Sequence, residues 1–320
     1  MGEFSGDEQA AWLQALQLAL PTHRVLSPHD SQAGSTRFDA AIVANPAPGS
    51  LAEVPGLRLI QSLWAGVDRL LADPTLPPGV PIARMVDPAM TAAMAETALW
   101  ASLALHRGFF NYARQQAQGL WQSNAQCRAD EFQVLVLGHG EMGRAVALRL
   151  AQQGYPVSAW RRAPGAPDPK GGGAPTENAS PGVQVLSGAA ALAGAMASAR
   201  LVINLLPLTP QTRGLINAEW LARLPPGASL VNLARGAQVV DDDLLAALDT
   251  GRLGHAVLDV FHTEPLPAGH RFWAHPQVTV LPHAAAQTDA RSAAAVVARN
   301  LEALASGAPL QHLVRRASGY

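Results

Sequence analysis

Val134-Leu135-Val136-Leu137-Gly138-His139-Gly140-Glu141-Met142-Gly143 decides the fold. Four consecutive apolar residues closed by glycine have the length and character of a parallel strand buried on both faces. The G-x-G-x-x-G that follows opens onto residues 141–153, where apolar side chains recur at helical spacing. Strand, glycine turn and helix, in that order, form the context in which this motif holds a dinucleotide. Gly138 permits the tight turn, Gly140 lets backbone approach a pyrophosphate, and Gly143 lets helix and strand pack closely. Glu141 and Met142 begin a helix whose free N–H groups favour phosphate. The bland alternative is a glycine turn that merely packs. His139 reads as a loop residue, because backbone carries the loop's chemistry.

The next strand ends Ser158-Ala159-Trp160-Arg161-Arg162. A cofactor with a free ribose 2′-hydroxyl needs an acid about 20 residues beyond the glycine motif. Two guanidinium groups stand there instead, and such groups hold a 2′-phosphate by charge-assisted hydrogen bonds. Arg161 and Arg162, with Trp160 beside them, therefore point to NADP(H) as the preferred cofactor, with NAD(H) possible. The alternative is a solvated arginine pair.

Further out, apolar runs at 201–205, 229–233, 255–260 and 278–281 alternate with helical patterns at 188–197, 218–224 and 241–248. This is the rhythm of a doubly wound sheet. The first hundred residues alternate in the same way. A helix over 10–20 is stopped by Pro21, and strand-like runs follow at 24–26, 40–43 and 57–63. A long apolar helix over 88–108 ends or kinks at Gly108, a further helix covers 109–122, and the last spans 289–306. Residues 163–182, APGAPDPKGGGAPTENASPG, read as a long mobile loop inside a domain.

The chain has 320 residues, enough for two domains at roughly 150 residues each. With 48% hydrophobic residues and a net charge of −1, it has material for packed cores but no field for nucleic acid or acidic membranes. A single cysteine, Cys127, excludes an internal disulfide and suits a reducing compartment. The acidic start lacks the basic and apolar regions of a signal peptide, so a cytoplasmic location is expected. No apolar stretch spans a bilayer, and the histidines lack metal-like pairing with acids or Cys127, so no metal site is expected.

Three later segments settle the class. They are Asn232-Leu233-Ala234-Arg235-Gly236-Ala237, Asp259-Val260-Phe261-His262-Thr263-Glu264-Pro265, and Leu281-Pro282-His283-Ala284-Ala285-Ala286. In order and spacing, with 29 residues from Arg235 to Glu264 and 19 from Glu264 to His283, the sequence resembles the D-isomer-specific 2-hydroxyacid dehydrogenases. The similarity covers essentially the whole chain and is greatest to the glyoxylate/hydroxypyruvate reductase A branch. The resemblance implies that His283 is the proton donor, that Glu264 raises its pKa, and that Arg235 clamps the substrate carboxylate and polarises the ketone. Singly, His283 reads equally as a turn residue and Glu264 as an exposed cap.

The loop Trp64-Ala65-Gly66-Val67 matches the family's substrate loop, whose backbone N–H groups form a nest for carboxylate. Trp64 is either a pocket wall or core. Leu205, Leu206 and Pro207 are expected along the cofactor's adenosine part, and Thr212 at the cofactor. Ala234 is also expected at the cofactor, and Asp259 at the nicotinamide carboxamide. The implied architecture is two doubly wound α/β domains. One is a flavodoxin-like substrate domain, residues 1–100 and 288–320; the other is a Rossmann-type cofactor domain, residues 101–287. The active site would lie between them and close over a small 2-oxo or 2-hydroxy acid. Aromatic residues at 109–122 imply a homodimer. The rival functions are a dehydrogenase for another D-2-hydroxy acid and a dinucleotide-sensing corepressor-like protein.

Overall fold

The computed structural model describes Phe4, residues 6–27, 37–162, 182–317 and Gly319. The loop expected at 163–182 therefore lies, Gly182 excepted, outside the described residues. The chain divides into two compact units, crossing from one to the other between Met90 and Thr91 and back between Gln287 and Thr288.

The smaller unit begins with α1 (Gly6–Ala19) and carries a parallel sheet of β1 (Ala40–Val43), β2 (Leu59–Ser62) and β3 (Ile82–Ala83), in that order. Helix α2 (Asp68–Leu71) follows β2, and the C-terminal α9 (Ala290–Ser306) packs against α1. Val43, Ile60, Leu70, Ile82 and Val314 form its core. All four residues of β2 are buried, Gln61 included. That side chain is satisfied because Asn300 Nδ2 donates to Gln61 Oε1 at 2.7 Å and Gln61 Nε2 donates to the Ser62 carbonyl at 3.0 Å. The pair ties α9 to the middle strand. The run at 24–26 forms no strand. Among the described residues the sheet ends at β1.

Helix α3 (Pro88–His106) carries the chain across the first crossing. Asp87 receives the N–H groups of Ala89 and Met90 at its start, and Gly108, at φ +72°, ends it in the left-handed conformation. Helix α4 (Phe109–Ala117) is shorter than its apolar pattern suggests, since Gly119 turns left-handed at φ +66°.

In the larger unit the strands are β4 (Val134–Leu137), β5 (Val157–Arg161), β6 (Val183–Ser187), β7 (Leu201–Asn204), β8 (Ala228–Asn232), β9 (Leu253–Leu258) and β10 (Val278–Val280). All pair in parallel, in the order β10-β9-β8-β7-β4-β5-β6. Helices α5 (Glu141–Ala151), α6 (Ala189–Met196), α7 (Ala218–Leu221) and α8 (Asp241–Asp249) connect them. Successive strand residues face opposite sides, so Leu135, Leu137, Val202 and Leu230 pack with Met196, Leu221 and Leu244. Val134, Val136, Ile203 and Val231 pack on the other face with Val146, Leu150 and Ala98. Full burial of each such aliphatic side chain contributes about 1.5–3 kcal/mol. β6 goes unread in the sequence because its faces are unevenly buried and it adjoins the Pro/Gly-rich stretch. Strand order reverses between β4 and β7, which puts a ligand crevice at their carboxyl ends. Among the described residues, no helix is long and apolar enough to cross a membrane.

Candidate active site

The glycine turn sits at that reversal. Gly138 has φ +100°, and a Cβ there would lie 2.7 Å from the Leu205 carbonyl oxygen. A Cβ on Gly143 would lie 1.9 Å from the Gly138 carbonyl oxygen, so neither position admits a side chain. A Cβ on Gly140 would meet nothing within 4 Å, and this residue caps α5 without a side-chain hydrogen bond. The helix therefore presents free N–H groups to open space, as an incoming phosphate requires. Glu141 pairs with Arg144 at 3.3 Å on the exposed first turn, and Met142 packs into the core.

At the end of β5, Trp160 is buried and donates Nε1 to the Gly188 carbonyl at 2.9 Å. Its indole belongs to the core, and its carbonyl accepts the Gly138 N–H at 2.9 Å. Arg161 and Arg162 are exposed, and Arg162 Nη1 donates to Gln211 Oε1 at 3.4 Å.

Three buried carboxamides organise the loops after β7 and β8, and no sequence motif announces them. Asn204 Nδ2 donates to Asn232 Oδ1 at 3.0 Å and to Gln238 Oε1 at 2.8 Å. Gln238 Nε2 donates to the Leu206 and Pro207 carbonyls, each at 3.1 Å, while its Oε1 accepts from Arg235 N–H at 3.2 Å. Asn232 in turn accepts from Ala234 N–H and donates to the Arg235 carbonyl. Thr212 Oγ1 donates to the Pro207 carbonyl at 2.7 Å. One network thus fixes Leu205–Pro207 and the Arg235 backbone together. Gln238→Leu should strand the Leu206 carbonyl and the Arg235 N–H, each costing about 1–3 kcal/mol. Chemical denaturation should show a loss of that size. An unchanged midpoint would mean the loops do not depend on Gln238.

Arg235 Nη1 donates to the Ala234 carbonyl at 2.7 Å. A Cβ on the following Gly236 would stand 2.0 Å from the Phe261 backbone, so the Arg235 turn lies directly on the segment that carries Glu264. Glu264 Oε1 accepts the Phe261 N–H at 2.8 Å and Oε2 meets His283 Nδ1 at 2.7 Å. The Glu264 hydrogen bond raises the His283 pKa above its ordinary value, against burial and the Arg235 charge. Burial pushes the Glu264 carboxyl upward, but His283, the Phe261 N–H and Arg235 together hold it low. Nδ1 is committed to Glu264, which leaves Nε2 to exchange a proton with a substrate.

His283 is itself left-handed, at φ +53°. A non-glycine residue holds that conformation only where its surroundings enforce it. Here His283 N–H donates to the Asp259 carbonyl at 2.9 Å, and the Asp259 carboxylate accepts from Ala284 N–H at 2.7 Å and Ala285 N–H at 3.1 Å. The Asp259 side chain is buried and its first task is to hold the turn that aims His283. An open depression of about 540 Å³, lined by residues including Arg213, Asp241, His262 and His270, contains none of the three groups.

In the smaller unit, Trp64 N–H donates to Ser62 Oγ at 3.0 Å, and the Trp64 carbonyl accepts from Met85 N–H at 3.0 Å. Its ring is half-buried and meets Phe4 edge-on at 5.7 Å. Ala65 and Gly66 lead to Val67, which precedes α2 and is buried.

A parallel sheet whose reversal point is lined by backbone N–H groups suits a dinucleotide. An imidazole whose pKa a carboxylate raises, within reach of a guanidinium's charge, suits reduction of a carbonyl beside an anionic group. Together they define a nicotinamide-dependent oxidoreductase. The family model described as D-isomer specific 2-hydroxyacid dehydrogenase, NAD binding domain, matches residues 99–285. The chain is 41% identical over 302 residues to glyoxylate/hydroxypyruvate reductase A of Serratia proteamaculans (strain 568), covering 92% of this chain and 91% of that protein. Its structure resembles that of a D-isomer specific 2-hydroxyacid dehydrogenase from Xanthobacter autotrophicus Py2 in complex with NADPH and MES. The TM-score is 0.88 at 38% identity, covering 100% of this chain and 98% of that one. It also resembles an NADPH-dependent glyoxylate/hydroxypyruvate reductase from Sinorhizobium meliloti in complex with NADP and sulfate, with a TM-score of 0.88 at 33% identity, over 100% of this chain and 98% of that one. The chain belongs to the D-isomer-specific 2-hydroxyacid dehydrogenase family.

Proposed function

We propose that this protein reduces glyoxylate to glycolate and hydroxypyruvate to D-glycerate with NADPH. The observation that carries the reading is the 2.7 Å Glu264–His283 pair, with the Arg235 charge acting on both members. The nicotinamide, when bound, supplies hydride to the carbonyl carbon. His283 Nε2 gives a proton to the carbonyl oxygen, and Glu264 stabilises the imidazolium beforehand. Arg235 holds the substrate carboxylate and balances the charge that grows on oxygen. The backbone N–H groups of Ala65, Gly66 and Val67 are assigned to the carboxylate, and Trp64 to the wall that favours small substrates. The glycine turn and the N-terminus of α5 take the pyrophosphate. Leu205, Leu206 and Pro207 take the adenosine side, with Ala234 close by. The substrate domain corresponds to the smaller unit, and the lone Cys127 suits a reducing compartment such as the cytoplasm.

For cofactor choice the expected result is NADPH over NADH by at least about tenfold in kcat/KM, since a hydrogen bond to a charged group contributes about 1.5–3 kcal/mol. Arg161→Asp with Arg162→Ala should reduce or invert the ratio and leave substrate KM unchanged. The preference should shrink with added salt. Equal use of both cofactors by the wild type would overturn it. A panel of 2-oxo acids assayed with each cofactor tests the substrate assignment, and a bulkier acid preferred over glyoxylate and hydroxypyruvate would redirect it.

A homodimer forms part of the same proposal. Trp100, Phe109, Leu120 and Trp121 are all exposed, Trp121 completely, and α4 buries none of its residues. So large an aromatic surface marks a contact. Sedimentation at micromolar concentration should give a dimer of two-fold symmetry, and a monomer would remove this part of the reading.

A further inference from the structure

We propose that His139 binds the 2′-phosphate of NADP(H), as a third phosphate ligand beside Arg161 and Arg162. The inference rests on the NADP(H) reading above. Gly138 N–H donates to the Trp160 carbonyl at 2.9 Å, and Leu137 stands opposite Trp160 in the parallel register. One step further along that register sets Gly138 opposite Arg161, the last residue of β5, and His139 is the next residue out from the carboxyl end of β4, close enough for the Arg161 charge to act on its ring. His139 Nε2 is shielded from solvent and has no hydrogen-bond partner among the described residues. Such an orphaned polar atom is uncommon in a folded protein and needs an explanation. A ligand that supplies the partner is one, and a loop that binds dinucleotide is where that explanation belongs.

The charges around the ring say which ligand. Burial first, then the Arg161 and Arg144 guanidinium groups, depress the His139 pKa and keep the ring neutral in the free protein. Arg144 lies in the first turns of α5, and its partner Glu141 is the nearby acid, at 3.3 Å from it. A neutral imidazole between cationic groups is arranged for an arriving anion. A phosphate dianion there would accept from the ring, offset both guanidinium charges and favour the imidazolium. The ribose 2′-hydroxyl of NAD(H) brings no charge and gains none of this. The ring thus adds discrimination between the two cofactors, and it does so from a motif position normally valued for its backbone alone.

Isothermal titration with 2′,5′-ADP and with 5′-AMP, which differ only in the 2′-phosphate, tests the assignment without turnover. His139→Leu should weaken 2′,5′-ADP by about tenfold or more and leave 5′-AMP within about twofold. His139→Gln, which keeps an N–H donor, should recover part of the loss. Arg161→Ala serves as the control on the underlying reading. If Arg161→Ala weakens 2′,5′-ADP and His139→Leu does not, NADP(H) recognition stands and the His139 proposal falls. If neither variant changes 2′,5′-ADP affinity, both fall. If His139→Leu weakens 2′,5′-ADP and 5′-AMP alike, the ring serves only the shape of the loop and the proposal is overturned.

Discussion

Replacing His283 by asparagine should lower kcat by about 10²–10⁴-fold, the range that a positioned general acid contributes. Asparagine keeps a polar side chain of similar reach but cannot release a proton near neutral pH. The Asp259 contacts are made by the backbone of residues 283–285, so they survive the substitution and stability should change little. Circular dichroism and cofactor titration would verify that the variant is folded. Activity within a few-fold of wild type would remove His283 from the role.

The pH profile tests the pair more finely. Glu264 raises the His283 pKa above its ordinary 6.5, so the acid form persists to a pH at which a free imidazole is already neutral. Reductive turnover should be full below the raised value and fall about tenfold per pH unit above it. The oxidative direction, which needs the neutral base, should show the mirror image. Glu264→Gln keeps a hydrogen-bond acceptor but removes the charge, so the descending limb of reduction should move to lower pH. A limb that stays in place would mean that Glu264 does not control the proton.

The larger unit was legible because its strands are buried on both faces and read as uninterrupted apolar runs. β4 fell where the sequence put it, with α5 opening at Glu141 inside the glycine motif. The steric demand for glycine at 138 and 143 was legible too, because a missing Cβ has consequences at fixed positions. Arg235, Glu264 and His283 were singled out by the family resemblance that the order and spacing of their segments carry, and no local property of any one of them would have marked it. What lay beyond reading was the support. Asn204, Asn232 and Gln238 come from three separate segments and meet only in the folded sheet. Their amides look like any polar loop residue until the structure shows them buried. The left-handed conformation of His283 is equally silent in sequence, since it depends on Asp259, some two dozen residues away. Nor does a continuous apolar helix such as α3 signal where along its length one unit gives way to the next.

Arg235→Gln should lower kcat/KM for 2-oxo acids by about 10²–10⁴-fold, the equivalent of losing two charge-assisted hydrogen bonds at about 1.5–3 kcal/mol each. Arg235→Lys keeps the charge but loses the planar fork that matches a carboxylate, so it should fall between the two. NADPH affinity should stay near the wild-type value in both, because the Gln238 and Asn232 contacts are to the Arg235 backbone and persist. A large loss of NADPH binding with substrate KM intact would make Arg235 a cofactor residue instead. The residual activity carries a second, independent signature. The Arg235 charge lowers the His283 pKa, so removing it should favour the imidazolium and shift the descending limb of reduction to higher pH. Glu264→Gln shifts the same limb the other way. Opposite shifts from two neighbours on one imidazole would establish that a single proton, poised between a carboxylate and a guanidinium, is the one transferred. Shifts of the same sign would mean that the limb belongs to another group.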